Sequence, residues 1–547
     1  MGKNLKIVVI LFVSTLTLWI VEEYLLDKNY MGYLSHLVYG YKQIPLFKVL
    51  VYIMTSFLSF VVIVLSLFTK NKKVFFFFIS MVSIAYLVDI IYLQVMGKVF
   101  SFHDLETVLM EMDKFSLVVL STFSNLLIKS LVYLGIGVLL VILLRFYIKK
   151  HHFFISTFLV MAMWILSIGL AFGIYVKTAG FSNKVSTPIA MIDTILYKLY
   201  IDPYCGKRKS VTKSCGVSKI NHIVFIVDES ISAKYLSLNG YDKKTTPFLD
   251  SIADNILNYG FISSGANGSA SSNMILMSGI TLDELPDRSY KALKVPNIFQ
   301  YAKKVGYTTS YISGQTRELQ NYMSKYDIDT IDNFFKTDYT TFQLQKTPEK
   351  DIVDEVLKQI NEHNKTFMFI VKRGAHFHYE HTYPQNNKVF SPTLKRDEPI
   401  SLYNKKRVIN SYCNAILWRV DGFFESLYRE LHLDSRNDTI IIYTSDHGQS
   451  ILENGTVATH NVSVNPNPSQ GIVPLLVMPS SLDILHNKKV LKNHYTHFQL
   501  FPTLLWLMGY SDLNHTIFDT KISISQVFFS GDLFGRAGTS KTEISYE

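Results

Sequence analysis

The stretch NHIVFIVDESISAKYLSLN, residues 221–239, joins a short apolar run to a pair of carboxylates. The run HIVFIV is rich in branched side chains and is bounded by polar residues, which is typical of a buried parallel strand. Ligands of α/β proteins bind at the carboxyl ends of such strands. Asp228 and Glu229 are therefore candidate metal ligands, and an acidic cap for the following helix is the alternative interpretation.

Further apolar runs alternate with helical patterns beyond this stretch. The runs lie at 308–313, 366–371, 439–445 and 472–478, and the helical patterns lie at 246–254, 270–278, 296–304, 350–362, 403–431 and 496–508. This alternation predicts a three-layer α/β domain around a mostly parallel sheet. We place the domain at 218–547, after a polar linker at 178–217 that contains a short interfacial helix.

Residues 1–177 have the composition of a transmembrane domain. Five apolar segments are long enough to cross a hydrocarbon core about 30 Å thick; they lie at 5–26, 46–68, 74–95, 128–148 and 153–176. Short basic segments place the N-terminus in the cytoplasm and the α/β domain outside. A cleavable signal peptide is the alternative for the first segment, but no small-residue cleavage site follows it.

Two polar features of this part have more than one interpretation. Asp89 lies within the third apolar segment, where it faces a polar cavity or reaches the membrane interface. Apolar residues recur at helical spacing from Leu105 to Met112, which predicts a helix along the outer leaflet.

Charge and cysteine content exclude some classes of protein. The net charge is +10, but the basic residues are dispersed, which disfavours nucleic acid and favours an anionic membrane surface or lipid. The three cysteines, Cys205, Cys215 and Cys413, lack the spacing of a thiolate zinc site. A Cys205–Cys215 bridge and two free thiols are both allowed.

A second strand also ends in residues with metal-ligand chemistry. Asp446 and His447 follow the run at 439–445, and Gly448 then lets the backbone turn. Together with Glu229 they supply two oxygen donors and one nitrogen donor from two strand ends. This set predicts a zinc site.

A nucleophile is available in SSGANGSASSNMILMSG, residues 263–279. Gly265 and Gly268 permit a tight turn, and Ser269 would begin a helix. A hydroxyl there feels the positive end of the helix dipole, and a nearby zinc would lower its pKa. The alternatives are that Ser269 only caps the helix, or that another serine of the segment acts, namely Ser263, Ser264, Ser271 or Ser272.

Histidines follow two of the strand ends. His376 comes after the run at 366–371, and His460 comes after Asp446 and His447. Each could bind a phosphate, protonate a leaving group or hold a second metal. His378 and His381 are expected at the surface.

Several segments, taken in order, resemble the motifs of the phosphoethanolamine transferases. They are NHIVFIVDESISAKYLSLNGYDKKTTPFLD, ANGSASSNMILMSG, GAHFHYEHTYP, SDHGQSILENG with the later ATHN, and HFQLFPTLLWLMGY. These transferases are membrane enzymes of Gram-negative bacteria in the alkaline phosphatase and sulfatase superfamily. The resemblance implies five spans followed by a periplasmic, alkaline phosphatase-like α/β domain.

The resemblance also implies roles for residues of this chain. Glu229, Asp446 and His447 would bind the catalytic zinc, with Ser269 as a further ligand and the nucleophile. His376 and His460 would contact the transferred phosphoryl group or an additional zinc.

Three departures from the family pattern are visible. Ser269 stands where the lipid A enzymes typically have threonine, Asp228 replaces the usual glycine before the metal-binding glutamate, and Cys413 is the only cysteine after the linker.

The function implied is transfer of phosphoethanolamine from phosphatidylethanolamine to a lipopolysaccharide acceptor, either lipid A or a core sugar, through a phospho-Ser269 intermediate. The protein would be a monomer of the bacterial inner membrane that binds no nucleic acid. The alternatives are a phosphoglycerol transferase, a phosphodiesterase or sulfatase-like hydrolase of the same superfamily, and a non-catalytic membrane scaffold. No C/S-x-P-x-R pattern of a sulfatase surrounds Ser269.

Overall fold

Two units, Met1–Pro203 and Tyr204–Glu547, make up the chain. The structure is a computed structural model. It describes residues 3–25, 46–96, 100, 124–178, 185–200, 207–315, 322–337, 349–395, 398, 400–455, 459–462, 465–486, 488–511, 513, 515–519, 525–535 and 539–544.

The described residues of the first unit are mainly helical, with turns and a Thr69–Ile155 bridge between helices. Its helices are α1 Lys3–Leu25, α2 Leu46–Ser66, α3 Lys72–Met96, α4 Ser124–Lys150, α5 Thr157–Thr178 and α6 Thr187–Tyr200. Helices α1 to α5 are long and apolar enough to cross a membrane, which confirms the five predicted segments. The helix predicted from Leu105 to Met112 lies outside the described residues.

Two buried carboxylates lie at the start of α6. Asp89 of α3 accepts hydrogen bonds from Thr187 Oγ1 at 2.9 Å and from the Phe100 N–H at 3.0 Å. Glu22 of α1 accepts from the Thr187 N–H at 3.3 Å. Asp89 is only 1% exposed, so its carboxylate is buried within the protein.

The second unit is built on a seven-stranded sheet with the strand order β2-β7-β6-β1-β5-β3-β4. These strands are β1 His222–Asp228, β2 Leu257–Ser263, β3 Thr308–Ser313, β4 Asn333–Lys336, β5 Thr366–Val371, β6 Thr439–Ser445 and β7 Ile472–Met478. Strand β7 pairs antiparallel with both neighbours, and the other pairs are parallel. A separate antiparallel pair is formed by β8 Val527–Gly531 and β9 Thr539–Glu543.

Helices cover both faces of the sheet. They are α7 Pro247–Ser251, α8 Ser269–Ser278, α9 Lys291–Lys294, α10 Ile298–Lys304, α11 Lys325–Ile328, α12 Lys350–Glu362, α13 Lys405–Ile416, α14 Gly422–Glu430 and α15 Leu500–Leu507. The pattern at 403–431 is thus helical, with a π turn at Leu417–Asp421 between α13 and α14.

The side chains of β1 show why the domain has three layers. Ile223, Phe225 and Val227 pack in a core with residues of α8, α10 and α15. Val224 and Ile226 pack in a second core with residues of α12, α13 and α14. A strand buried on both faces must be apolar at successive positions, which explains the uninterrupted run HIVFIV.

Candidate metal centre

The register between β1 and β6 brings the two polar strand ends together. Asp228 pairs with Ser445 at the last position of the ladder, and the Asp446 N–H donates to the Asp228 carbonyl at 2.8 Å. The residues that follow each strand, Glu229 and Asp446, therefore lie side by side. Central parallel strands end at one edge of a sheet, where such sites form.

Three side chains at this edge form a compact group of metal-ligand type. One ligand atom from each of Glu229, Asp446 and His447 lies within 4.8 Å of the other two. His447 Nε2 lies 3.2 Å from Glu229 Oε1 and 3.6 Å from Asp446 Oδ2. All three side chains are buried.

The hydroxyl of Ser269 joins this group. Ser269 Oγ lies 3.2 and 3.1 Å from the two carboxylate oxygens of Glu229 and 3.3 Å from His447 Nε2. The residue is the first of α8, and the capping position before it is Gly268. Ser269 directs its hydroxyl at the metal-ligand group and does not cap the helix.

Neighbouring polar groups hold the ligands in orientation. Ser230 Oγ donates to Glu229 Oε1 at 2.8 Å, and Gln315 Nε2 donates to Glu229 Oε2 at 3.0 Å. His447 Nδ1 donates to the Gly448 carbonyl at 2.9 Å, so Nε2 is the nitrogen presented to the site. Partners of this kind fix the orientation of metal ligands.

Asp228 faces away from the metal-ligand group. Its Oδ2 accepts from Lys372 Nζ at 2.8 Å and from the Tyr443 hydroxyl at 3.2 Å, and its Oδ1 accepts from the Glu229 N–H at 3.0 Å. Lys372 Nζ also lies 3.2 Å from Glu349 Oε2. Of the two carboxylates in the opening stretch, Glu229 is the one directed at the site.

Two glycines are required by close backbone approach. A Cβ on Gly374 would lie 2.3 Å from the Glu229 carbonyl oxygen, and φ there is +49°. A Cβ on Gly448 would lie 2.3 Å from the Ser469 carbonyl oxygen and 2.5 Å from that of Ile472. Gly448 is therefore needed for close packing and not for a left-handed turn.

The electrostatics of the group favour a bound cation. Burial and the charge of Glu229 raise the pKa of Asp446 to about 8. Burial alone would lower the pKa of His447, but the charges of Asp446 and Glu229 outweigh it and raise the pKa to about 9. Asp446 Oδ2 is buried without a hydrogen-bond partner among the described residues. A divalent cation would relieve the repulsion and engage this oxygen, so the residues fit zinc.

His376 and His460 lie next to the group. The rings of His460 and His447 stack with their centroids 4.3 Å apart, and the rings of His376 and His460 are 6.2 Å apart. The structure thus places near one another all six residues that the sequence suggested for the site.

The expectation that His378 and His381 lie at the surface is wrong. Their side chains are only 10% and 15% exposed, and one nitrogen of each lies within 3.7 Å of Glu380 Oε1. The cause is the turn at Tyr379–His381, in which Tyr379 packs in the second core and holds Glu380 against the two rings.

Gln315 and Lys372 were not identified from the sequence. Each follows the end of a strand, Gln315 two residues after β3 and Lys372 directly after β5. A search for every polar residue just beyond a predicted parallel strand would have found both.

The family model described as Sulfatase matches residues 221–510, which is more than half of the chain. This region spans β1 to β7 and includes all of the metal-ligand group.

Curated relatives show sequence similarity over the same part. The Kdo(2)-lipid A phosphoethanolamine 7''-transferase of Salmonella typhimurium is 24% identical over 310 residues, or 54% of this chain and 52% of that protein. The phosphoethanolamine transferase EptA of Escherichia coli K12 is 27% identical over 311 residues, or 53% of each. The chain thus spans about half the length of the relatives it matches.

Solved structures extend the similarity in fold. The integral membrane lipooligosaccharide phosphoethanolamine transferase A of Neisseria meningitidis matches with a TM-score of 0.60 and 18% identity, over 89% of this chain and 92% of that one. The periplasmic domain of Escherichia coli EptC, solved in complex with Zn, matches with a TM-score of 0.51 and 19% identity, over 61% of this chain and 96% of that one. The chain therefore belongs to the sulfatase family and resembles the phosphoethanolamine transferases that share its fold.

Proposed function

We propose that the chain is a zinc-dependent phosphoethanolamine transferase of the bacterial inner membrane, with its metal centre on the periplasmic side. The observation that carries the proposal is the position of Ser269. Its hydroxyl is half-buried, lies at a helix N-terminus and contacts Glu229 and His447 at 3.1 to 3.3 Å. A hydroxyl so placed among metal ligands is suited to act as a nucleophile.

The donor is phosphatidylethanolamine and the acceptor is lipopolysaccharide, on lipid A or a core sugar. The named activities of the relatives support this choice. Five helices of spanning length support it as well, because a membrane anchor raises the effective concentration of the domain at lipid substrates.

Glu229, Asp446, His447 and Ser269 would hold the zinc. When bound, zinc supplies positive charge that lowers the pKa of a hydroxyl and neutralises phosphoryl oxygens. Glu229 keeps the Ser269 hydroxyl oriented, since both of its carboxylate oxygens lie within 3.2 Å of Oγ. The free N–H groups in the first turn of α8 favour an anionic group at this position.

In the first half-reaction Ser269 Oγ gives up its proton and bonds to the donor phosphorus, while the bond from phosphorus to the diacylglycerol oxygen breaks. Diacylglycerol leaves with a proton, for which His376 and His460 are the adjacent donors. In the second half-reaction an acceptor oxygen bonds to phosphorus and the bond from phosphorus to Ser269 Oγ breaks. The proton released by the acceptor hydroxyl balances the one taken up by Oγ, which restores the Ser269 hydroxyl.

Mass spectrometry of lipopolysaccharide from cells that express the chain tests the proposal. Ser269→Ala should abolish the added phosphoethanolamine, whereas Ser271→Ala, two residues along the same helix, should retain it. Equal modification by Ser269→Ala and the unaltered chain would exclude this nucleophile. A non-catalytic scaffold would give no modification with any variant.

A further inference from the structure

A second feature of the α/β unit has the properties of a binding site. A cavity of about 590 Å³ is lined by residues between Glu380 and Lys395. This stretch begins four residues after His376. One continuous segment therefore runs from the metal centre to the cavity.

The cavity carries unbalanced positive charge. Its lining includes Lys388 and Lys395, both exposed, and His381. Within the described residues neither ammonium group has a carboxylate at ion-pair distance. Glu398, three residues after Lys395, accepts from the Lys395 backbone N–H at 2.9 Å and from the side chains of Asn404 and Arg407.

The single carboxylate of the lining is shielded. Glu380 is 2% exposed, and Oε1 lies 3.7 Å from His378 Nδ1 and 3.6 Å from His381 Nε2. Because this carboxylate is buried and the two lysines are exposed, the charge presented to a bound molecule is positive.

The remaining polar side chains of the lining can form hydrogen bonds with the hydroxyl groups of a bound molecule. Ser391, Thr393 and Gln385 offer hydroxyl and amide groups, and only Pro392 and Leu394 are apolar. A bare phosphate would fill only a small part of 590 Å³, since a site of this volume accepts a small molecule. The chemistry thus matches a polyhydroxyl compound that also bears an anionic group.

We propose that this cavity binds an acidic sugar of the acceptor, a saccharide that carries phosphate or carboxylate. The proposal rests on the function proposed above, and it assigns Lys388 and Lys395 to recognition of the acceptor and not to chemistry. The segment shared with His376 would keep the acceptor hydroxyl close to the metal centre.

Binding to the purified full-length chain in detergent tests this without turnover. The probes are glucose 1-phosphate, glucose, inorganic phosphate and sn-glycerol 3-phosphate, followed by saturation-transfer NMR. Glucose 1-phosphate should bind at least tenfold more tightly than the other three. The double variant Lys388→Gln/Lys395→Gln should weaken it at least tenfold.

The matched control is Lys358→Gln/Lys492→Gln, which removes the same charge from exposed lysines outside the cavity. It should leave binding unchanged. Equal binding of glucose 1-phosphate to both double variants would overturn the proposal. Equal binding of the three phosphates would also overturn it, because it would identify a site for simple anions or lipid headgroups.

A kinetic measurement separates the two proposals. The Lys388→Gln/Lys395→Gln variant should form the modified serine from phosphatidylethanolamine at the unaltered rate, and its KM for the acceptor should rise at least fivefold. An unchanged KM would contradict the acceptor site. Absence of any modified serine in the unaltered chain would instead contradict the proposed function and leave the binding result standing.

Discussion

Lys372 Nζ lies 2.8 Å from Asp228 Oδ2, and both side chains are fully buried behind the carboxyl end of β1. The same ammonium group donates to the Arg419 carbonyl at 2.7 Å and lies 3.2 Å from Glu349 Oε2. Asp228 in turn accepts from the N–H of Glu229. Lys372 thus connects the segment that carries Asp228 and Glu229 to the segments that carry Glu349 and Arg419.

Lys372→Met should destabilise the chain by about 3–5 kcal/mol, because it leaves two buried carboxylates without their counter-charge. Urea unfolding followed by tryptophan fluorescence measures this. The control Lys350→Met breaks ion pairs whose side chains are about one-third to three-fifths exposed and should cost less than about 1 kcal/mol. Similar losses for the two variants would contradict the role of Lys372.

Zinc affinity should distinguish the two adjacent carboxylates. Glu229→Gln should weaken zinc binding more than about 100-fold, because it removes a ligand, and Asp228→Asn should weaken it about 10-fold at most through altered support. Competition with a chelator of known affinity measures both. A larger loss for Asp228→Asn would mean that Asp228 is the ligand.

His497 should make stability depend on pH. Its ring is buried between Ser272 and Thr444, and burial lowers its pKa to about 3. Below the unfolded value of about 6.5 the unfolded chain gains a proton that the folded chain does not. The free energy of unfolding therefore does not change with pH through His497 above about pH 6.5. Below that pH it falls by about 1.4 kcal/mol per pH unit toward pH 3.

His497→Gln should therefore reduce the fall in unfolding free energy between pH 6.5 and pH 4.5, as measured by urea unfolding. Acid-sensitive groups elsewhere affect both proteins equally. Parallel pH profiles would show that His497 is protonated in the folded chain.

Gly448→Ala should displace the backbone directly after His447 and so disturb the metal centre. The new methyl group would meet two backbone carbonyl oxygens that cannot rotate away, so we expect a loss of at least about 2 kcal/mol and weaker zinc binding. Gly422→Ala is the control, since a Cβ there meets only one atom at 3.7 Å in helical backbone. It should be neutral or stabilising by about 0.5–1 kcal/mol. Comparable thermal stability of the two variants would contradict the packing argument.

The sequence predicted β1, β5, β6 and β7 because each is buried on both faces and contains a continuous apolar run. The edge strands β2 and β4 were missed. β2 contains Asn258 and Gly260 and has an irregular register with β7, and β4 has only four residues. The alternation of Leu257, Tyr259 and Phe261 in β2 is weakened by Gly260, and β4 is too short to show a pattern by which a strand is recognised.

The grouping of Glu229, Asp446 and His447 could be predicted because polar residues after central parallel strands meet at one edge. Ser269 follows the edge strand β2 and was found instead from the glycines before its helix. The residues that support this group, Lys372 and Gln315, could not be predicted. Each is a single polar residue whose role depends on which strands are neighbours in the sheet. The local sequence pattern does not determine that strand order. The burial of His378 likewise depends on how the turn at Tyr379–His381 packs against the second core.

The most direct measurement is intact-protein and peptide mass spectrometry of the zinc-loaded chain after incubation with phosphatidylethanolamine in the absence of acceptor. The account predicts one added phosphoethanolamine group on the peptide that carries Ser269, its loss on addition of lipopolysaccharide, and no addition to Ser269→Ala. An unmodified Ser269 in a chain that still transfers the group to lipopolysaccharide would contradict the account.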